Sequence, residues 1–201
     1  RITGQSVSEA LSASLKRLRV NQVALYQVHW PFTLLMSQET LMNTLADEVH
    51  QGRIAAVGVS NYSAAQMSEA HKLLAARGVP LAVNQVRYSL LSRQIEPQGI
   101  VDTARQLGVT ILAYSPLAQG LLTGKYTLEQ YQEPTGARRL DSRFSRSGLT
   151  KIAPVISLLR ELGEKYGRTP AQVALNWLIA QGNVIPIPGA KTAEQAKQNA
   201  G

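Results

Sequence analysis

The chain has 201 residues, 44% hydrophobic and 17% charged, which is enough apolar material for a sizeable core and too little charge for a disordered segment. It contains no cysteine, which excludes disulfide scaffolds, thiol nucleophiles and thiolate metal sites and accords with a reducing compartment. With 21 basic against 13 acidic residues the net charge is +8, which suits either a solvated basic surface or a phosphate-bearing small molecule. No zinc finger, RNA-binding aromatic signature or basic helix accompanies the charge, and no apolar run reaches membrane-spanning length, so neither nucleic acid nor a membrane is the expected partner. His29, His50 and His71 lie far apart without ligand spacing, so no metal is expected.

Ser6-Val7-Ser8-Glu9 reads as a capping box, and Val7, Leu11, Leu15 and Leu18 recur at helical spacing, predicting a helix over 6–18 with Ser6 as its N-cap. Residues 23–29 are rich in strand formers and carry no fixed charge, the pattern of a buried parallel strand. Pro31 cannot continue a central strand, so His29 and Trp30 stand where a strand gives way to a loop. Helices over 40–51, 63–77 and 97–107, ended by Gly52, Gly78 and Gly108, alternate with strands over 54–59, 81–86 and 109–114. Residues 117–150 show no periodic element and form a long loop of the kind that carries function. Helices over 152–166 and 169–180 follow, the second opened by a Thr169-Pro170 cap, then a short strand over 184–186 and a helix over 192–199.

Five strands alternating with helices mean a parallel α/β sheet with helical crossovers. A doubly wound sheet would carry a Gly-rich turn after its first strand, and none is present. A (β/α)8 TIM barrel fits better, although only five of its eight strands can be found here. In such a barrel the C-terminal ends of the strands converge on one face. His29-Trp30, Ser60-Asn61, Gln85, Tyr114-Ser115 and Pro188-Gly189-Ala190-Lys191 all fall at or near strand ends. Taken singly, each has an ordinary explanation: His29 a core histidine, Tyr114 a packed aromatic, Gln85 a capping amide, Lys191 a solvated charge.

The segments LYQVHWP, VGVSNY, NQVRYSLL, AYSPLAQGLLTGKY and IPIPGAKTAEQAKQNAG, in this order and spacing, resemble the aldo-keto reductases over the whole chain, and VNQVRYSLLS with PTGARRL is most similar to the pyridoxal reductase branch. The resemblance implies a single (β/α)8-barrel domain over 1–201, holding strands four to eight of the barrel, and an NADPH-dependent reduction of an aldehyde or ketone to the alcohol, pyridoxal being one candidate. It implies a catalytic role for His29, which would orient the substrate carbonyl, and a substrate-pocket wall at Trp30. Ser60, Asn61 and Gln85 match the groups that hold the nicotinamide carboxamide, and Tyr114 the aromatic that stacks on the nicotinamide ring. Ser115, Pro116 and Leu117 match the turn beside the pyrophosphate, with Lys125 the loop lysine over it. Gly189 and Lys191 precede a helix N-terminus, a place that attracts phosphate, and match the 2′-phosphate end of NADP(H); Gln195, Gln198 and Asn199 match adenine contacts.

The family's other three tetrad residues, an Asp, a Tyr and a Lys, lie on its second and third strands and would precede Arg1, so the resemblance implies that residues 1–201 alone are inactive. It also leaves a second class of function, an NADP(H)-binding regulatory subunit of the potassium-channel β type, which shares the fold and the site. The features point to a cytoplasmic protein, or to a plastid one if a transit peptide preceded Arg1.

Overall fold

Among residues 3–31 and 36–201, which the computed structural model describes, strands and helices alternate along the chain. They fall into two units, Arg1–Val86 with Gln94–Leu112, and Arg87–Arg93 with Ala113–Gly201. The first contains α1 (Gly4–Leu18), β1 (Val23–Val28), α2 (Gln38–His50), β2 (Ile54–Ser60), α3 (Ala64–Ala75), β3 (Leu81–Arg87) and α4 (Ile100–Leu107), and β4 (Thr110–Tyr114) starts there. Its strands lie in the order β1-β2-β3-β4. β1 and β2 are parallel, Val23 opposite Ile54 and Val28 opposite Val59; β2 and β3 are parallel, with Ser60 opposite Gln85. Gly58 sits where the register shifts, and a Cβ there would run into the side chains of Val83 and Gln27, so the close approach of the three strands needs a glycine. The helices bury one apolar stripe each, Leu11 and Leu15 from α1, Leu41 and Leu45 from α2, Met67 and Leu74 from α3.

The second unit takes the end of β4 and adds β5 (Val184–Pro186), which follows β4 in strand order; Ile187 N–H donates to Ala113 C=O at 3.1 Å. Its helices are α5 (Arg146–Tyr166), α6 (Pro170–Ile179) and α7 (Ala193–Ala200). Leu121, Leu122, Phe144, Leu149, Ile152, Ile156, Leu159 and Ala174 form its core. Gly148 lets the first turn of α5 lie against the backbone of Ser142 and Arg143, where any Cβ would collide. Thr169 caps α6 with Pro170 in its first turn, as the sequence predicts, and Gln172 completes a capping box.

The α/β alternation is as expected, but several details differ. Thr3, not Ser6, is the N-cap of α1: the Thr3 hydroxyl accepts from Ser6 N–H, and Ser6, three residues on, is the reach-back residue of the box. β1 is half-buried rather than buried, because among the described residues it pairs with β2 alone. α4 begins at Ile100, three residues later than predicted, because Gly99 adopts φ 72° and interrupts the preceding turn. The aperiodic stretch is not all loop: it holds short 3₁₀ helices at Gly136–Leu140 and Ser142–Phe144, 3₁₀ turns within Ala118–Thr123 that Gln119 and Gly120 interrupt with positive φ, and α5 starts at Arg146 within it. Such short tight turns bury too few residues to leave a periodic trace. No helix among the described residues is long and apolar enough to cross a membrane.

At the end of β2 the buried Asn84 side chain brackets a residue of the following turn. Its Oδ1 accepts from Tyr62 N–H at 3.4 Å and its Nδ2 donates to Tyr62 C=O at 3.0 Å, so one amide replaces a missing strand neighbour. The Tyr62 ring is thereby packed into the core with its hydroxyl lacking a hydrogen-bond partner among the described residues. Burial, reinforced by the nearby Glu69 carboxylate, pushes the phenol up from 10.0 to about 12. The folded state thus holds this proton more tightly than the unfolded one. The associated stability is complete below pH 10.0 and is lost as pH rises through about 12. Tyr62→Phe is expected to be as stable as the parent or more so at neutral pH, and to lack about 2–3 kcal/mol of the parent's alkaline destabilisation, read from denaturant midpoints at pH 8 to 12.

Candidate functional site

Parallel strands present their C-terminal ends on the same side, and the first unit fastens three of these ends together. Gln85 C=O accepts from the Ser60 hydroxyl at 2.8 Å and from Asn61 N–H at 2.9 Å. The Asn61 amide nitrogen donates to Ser60 Oγ at 3.1 Å and to His29 C=O at 3.2 Å. Asn61 reaches all of these by adopting φ 60°, a left-handed conformation that Asn tolerates better than most residues. His29, Ser60, Asn61 and Gln85 are therefore brought together as the strand-end pattern predicts. The His29 and Trp30 rings lie beyond β1, exposed and stacked with centroids 5.5 Å apart. Ser60 is buried and its proton is committed to Gln85, whereas the Gln85 amide nitrogen keeps its donors uncommitted among the described residues.

The sequence reading missed Gln27. Two residues before His29, it lies on the same strand face, and its Nε2 donates to Gln85 Oε1 at 3.2 Å. That bond fixes which end of the Gln85 amide faces away, and it leaves Gln27 Oε1 buried without a partner among the described residues. The period-two spacing from His29 was the available signal.

In the second unit Tyr114 ends β4, half-buried, its C=O accepting from Tyr88 N–H at 3.3 Å. The chain then turns sharply: Ser115, Ala118 and Gln119 have φ of 52°, 48° and 57°. Ser115 C=O accepts from Ala118 N–H and Leu117 C=O from Gly120 N–H, both at 2.9 Å, with Pro116 buried and Leu117 half-buried. Three non-glycine residues in the left-handed region within five positions store strain of a few kcal/mol, of the sort found where backbone geometry serves a ligand. Farther along, the Lys125 ammonium lies 5.0 Å from the centroid of the Tyr126 ring. The Arg138 guanidinium lies 5.6 Å from the same centroid and 5.6 Å from that of Phe144, while its Nη2 donates to Gln119 C=O at 3.4 Å. Two cations thus share one ring, and neither has an acidic partner among the described residues. Arg138, in the PTGARRL segment, was not among the predicted site residues; an arginine in an aperiodic stretch has no pattern to mark it.

The residues before α7 fold back onto it. Lys191 N–H donates to Gln195 Oε1 at 2.8 Å, and Asn199 Nδ2 donates to Gly189 C=O at 3.4 Å. Gly189, Lys191, Gln195 and Asn199 are therefore brought together, with the Lys191 side chain exposed. Gln198 is turned to other work, its Nε2 donating to Glu194 and its C=O accepting from Gln172. A groove of about 780 Å³ between α5 and α6, lined by Leu158, Leu162, Val173 and Trp177 among others, includes none of the predicted site residues. Among the described residues no group of three or more His, Asp or Glu is placed to hold a metal ion.

The model of the Aldo/keto reductase family matches residues 1–201. The chain is 38% identical to the chloroplastic pyridoxal reductase of Arabidopsis thaliana over 203 residues, covering all of this chain and 54% of that protein. It is 38% identical to the probable pyridoxal reductase 2 of Schizosaccharomyces pombe over 168 residues, 80% of this chain and 49% of that one. The solved structure of glycerol dehydrogenase AKR11B4 from Gluconobacter oxydans superimposes with a TM-score of 0.88 at 30% identity, covering 99% of this chain and 60% of that structure. The chain spans about half the length of these curated relatives.

The left-handed Asn61 gives a test of how the strand ends are fastened. Asn61→Gly keeps the backbone conformation and loses the two amide bonds; Asn61→Ala loses the bonds and adds backbone strain. Urea denaturation is expected to rank the parent above Asn61→Gly and Asn61→Gly above Asn61→Ala by about 1 kcal/mol.

Proposed function

We propose a function from one premise: the chain belongs to the aldo/keto reductase family. The protein that carries it reduces an aldehyde to the alcohol with NADPH, and pyridoxal is the favoured aldehyde. The observation that carries this reading is the joining of His29, Ser60, Asn61 and Gln85 by one hydrogen-bond network at the strand ends. Identity of 38% to two proteins named as pyridoxal reductases supports the choice of substrate.

The residues fit NADP(H) in chemistry. The Gln85 amide has donors to spare for the carbonyl of a carboxamide, and the unpartnered Gln27 Oε1 is an acceptor beside it. Ser60 and Asn61 hold the Gln85 backbone and Gln27 its side-chain amide, and Tyr114 offers a half-buried ring for stacking. The strained Ser115-Pro116-Leu117 turn borders the pyrophosphate, and the Lys125 and Arg138 cations, unpaired with acids among the described residues, relieve their mutual repulsion by binding it. Lys191, exposed beside Gly189 ahead of α7, binds the 2′-phosphate that separates NADPH from NADH, with Gln195 and Asn199 toward the adenine.

Bound NADPH supplies the hydride for the carbonyl carbon. His29 donates a hydrogen bond from its ring to the carbonyl oxygen and fixes the carbonyl's direction, and Trp30 walls the pocket on that side. Under this reading a general acid of the full-length protein supplies the proton for the oxygen.

Two variants of the full-length protein test the reading. Lys191→Ala is expected to weaken NADPH binding about ten- to a hundredfold and to leave NADH binding nearly unchanged. Equal losses for both cofactors would remove the 2′-phosphate role. His29→Ala is expected to lower kcat for pyridoxal reduction by a factor on the order of 100 with the NADPH dissociation constant unmoved. A parent protein that binds NADPH tightly and turns over no aldehyde would overturn the enzymatic reading in favour of a cofactor-binding subunit.

A further inference from the structure

One arginine joins two stretches of the second unit that are far apart in the sequence. Arg143 Nη1 donates to Ser92 Oγ at 3.2 Å and to Leu91 C=O at 3.5 Å. Its Nε donates to Asp141 Oδ1 at 2.9 Å and its Nη2 to Asp141 Oδ2 at 2.7 Å, a forked charge-assisted pair. Asp141 Oδ1 also accepts from Arg143 N–H at 3.1 Å, capping the turn Ser142–Phe144. Both side chains are largely withdrawn from solvent, at 22% and 16% exposure, so this is not a screened surface pair. The Arg143 fork, aided by the charge of Arg87, holds the Asp141 carboxyl below its usual range, which keeps it a carboxylate at neutral pH.

What the arginine grips is already stiff. Ser89 and Ser92 exchange backbone hydrogen bonds at 3.2 and 3.0 Å, Leu91 N–H donates to Ser89 Oγ, and the adjoining Tyr88 N–H is bonded to Tyr114 C=O. What it restrains is not. Among the described side chains of residues 125–143 none is buried, and Phe144 is the first that is. Tyr126 and Tyr131 pack half-buried against the second unit's core, but no described side chain of residues 136–143, which carry Arg138, is buried or belongs to that core. Arg138 lies three residues before Asp141, over the Phe144 ring that follows Arg143.

We propose that Arg143 is a positioning residue for dinucleotide binding: anchored on Ser92 and paired with Asp141, it holds residues 136–144 so that Arg138 stays over Tyr126 beside Lys125. The proposal rests on the reading of these two cations as the pyrophosphate site. Releasing the clasp leaves the charges present but disordered, and the ordering cost then falls on the binding step.

The test uses the full-length protein and its variants Arg143→Met, Arg143→Lys and Ser92→Ala. NADPH dissociation constants come from fluorescence titration, dissociation rates from stopped flow, kcat from saturating NADPH and pyridoxal, and thermal midpoints from circular dichroism. Arg143→Met is expected to raise the NADPH dissociation constant about tenfold, mostly through faster dissociation. Arg143→Lys and Ser92→Ala should give intermediate values, while kcat and the thermal midpoint stay close to those of the parent. NADPH affinity unchanged in all three variants would overturn the proposal while leaving the functional reading intact. So would affinity, kcat and thermal midpoint falling together, because that marks a general structural role. A parent that binds no NADPH would overturn the functional reading itself, and the proposal with it. Should Arg143→Met fail to fold, the other two decide: unchanged affinity in both overturns the proposal.

Discussion

The backbone carbonyl of Gln85 accepts two hydrogen bonds, from the Ser60 hydroxyl and from Asn61 N–H, and the first unit's strand ends depend on that one acceptor. To supply both donors, the chain must leave β2 with Asn61 at φ 60°, and this turn places the Asn61 amide against His29 C=O. Gln85 lies opposite Ser60 near the end of β3, so the Asn61 N–H bond carries the β2–β3 ladder one residue past β2 and the Ser60 hydroxyl adds a second tie to the same carbonyl. Gln27 then completes the arrangement from β1 by holding the Gln85 side chain. Each link is local, and together they determine where His29 and Trp30 leave the sheet.

Basic side chains divide into two groups by what they touch. Arg53 pairs with the buried Glu48 at 2.8 Å, Arg77 with Asp47, Arg143 with Asp141, and Arg160 donates to Gly124 C=O at 2.7 Å. These charges do structural work and are neutralised or aimed at backbone. Lys125, Arg138 and Lys191 have no acidic partner among the described residues, Arg138 donating only to Gln119 C=O at 3.4 Å, and they fall in the segments where the proposed function needs to meet phosphate. The net charge of +8 is thus informative only after this division, since total charge does not separate fastening arginines from ligand-facing ones.

Wherever burial is periodic, the elements could be read from the residues alone. The stripe of Leu11 and Leu15, the Thr169 cap and the three residues of β5 emerged where expected. What escaped prediction was held by contacts without a period. Residues 117–150 are fixed by arginines bonded to Gln119, Leu91 and Gly124 carbonyls and stacked on Tyr126 and Tyr131, and none of those partners is close enough in sequence to betray the pairing. β1 is half-buried although its composition reads as buried, because strand composition reports β propensity and not how many neighbours a strand has. Among the site residues, those at strand ends were legible because strand ends are predictable. Gln27 and Arg138 were not, one hidden inside a strand and the other inside an aperiodic stretch.

Under the proposed function the strand-end network of the first unit holds the nicotinamide carboxamide in one orientation through Gln85. Reduction of pyridoxal by NADPH deuterated stereospecifically at C4 tests it most directly, with each of the two C4 epimers used in turn and deuterium counted in the alcohol. A carboxamide anchored by Gln85 predicts transfer of the label from one epimer and essentially none from the other. Label arriving equally from both epimers, or from neither while NADPH is consumed, would contradict the account.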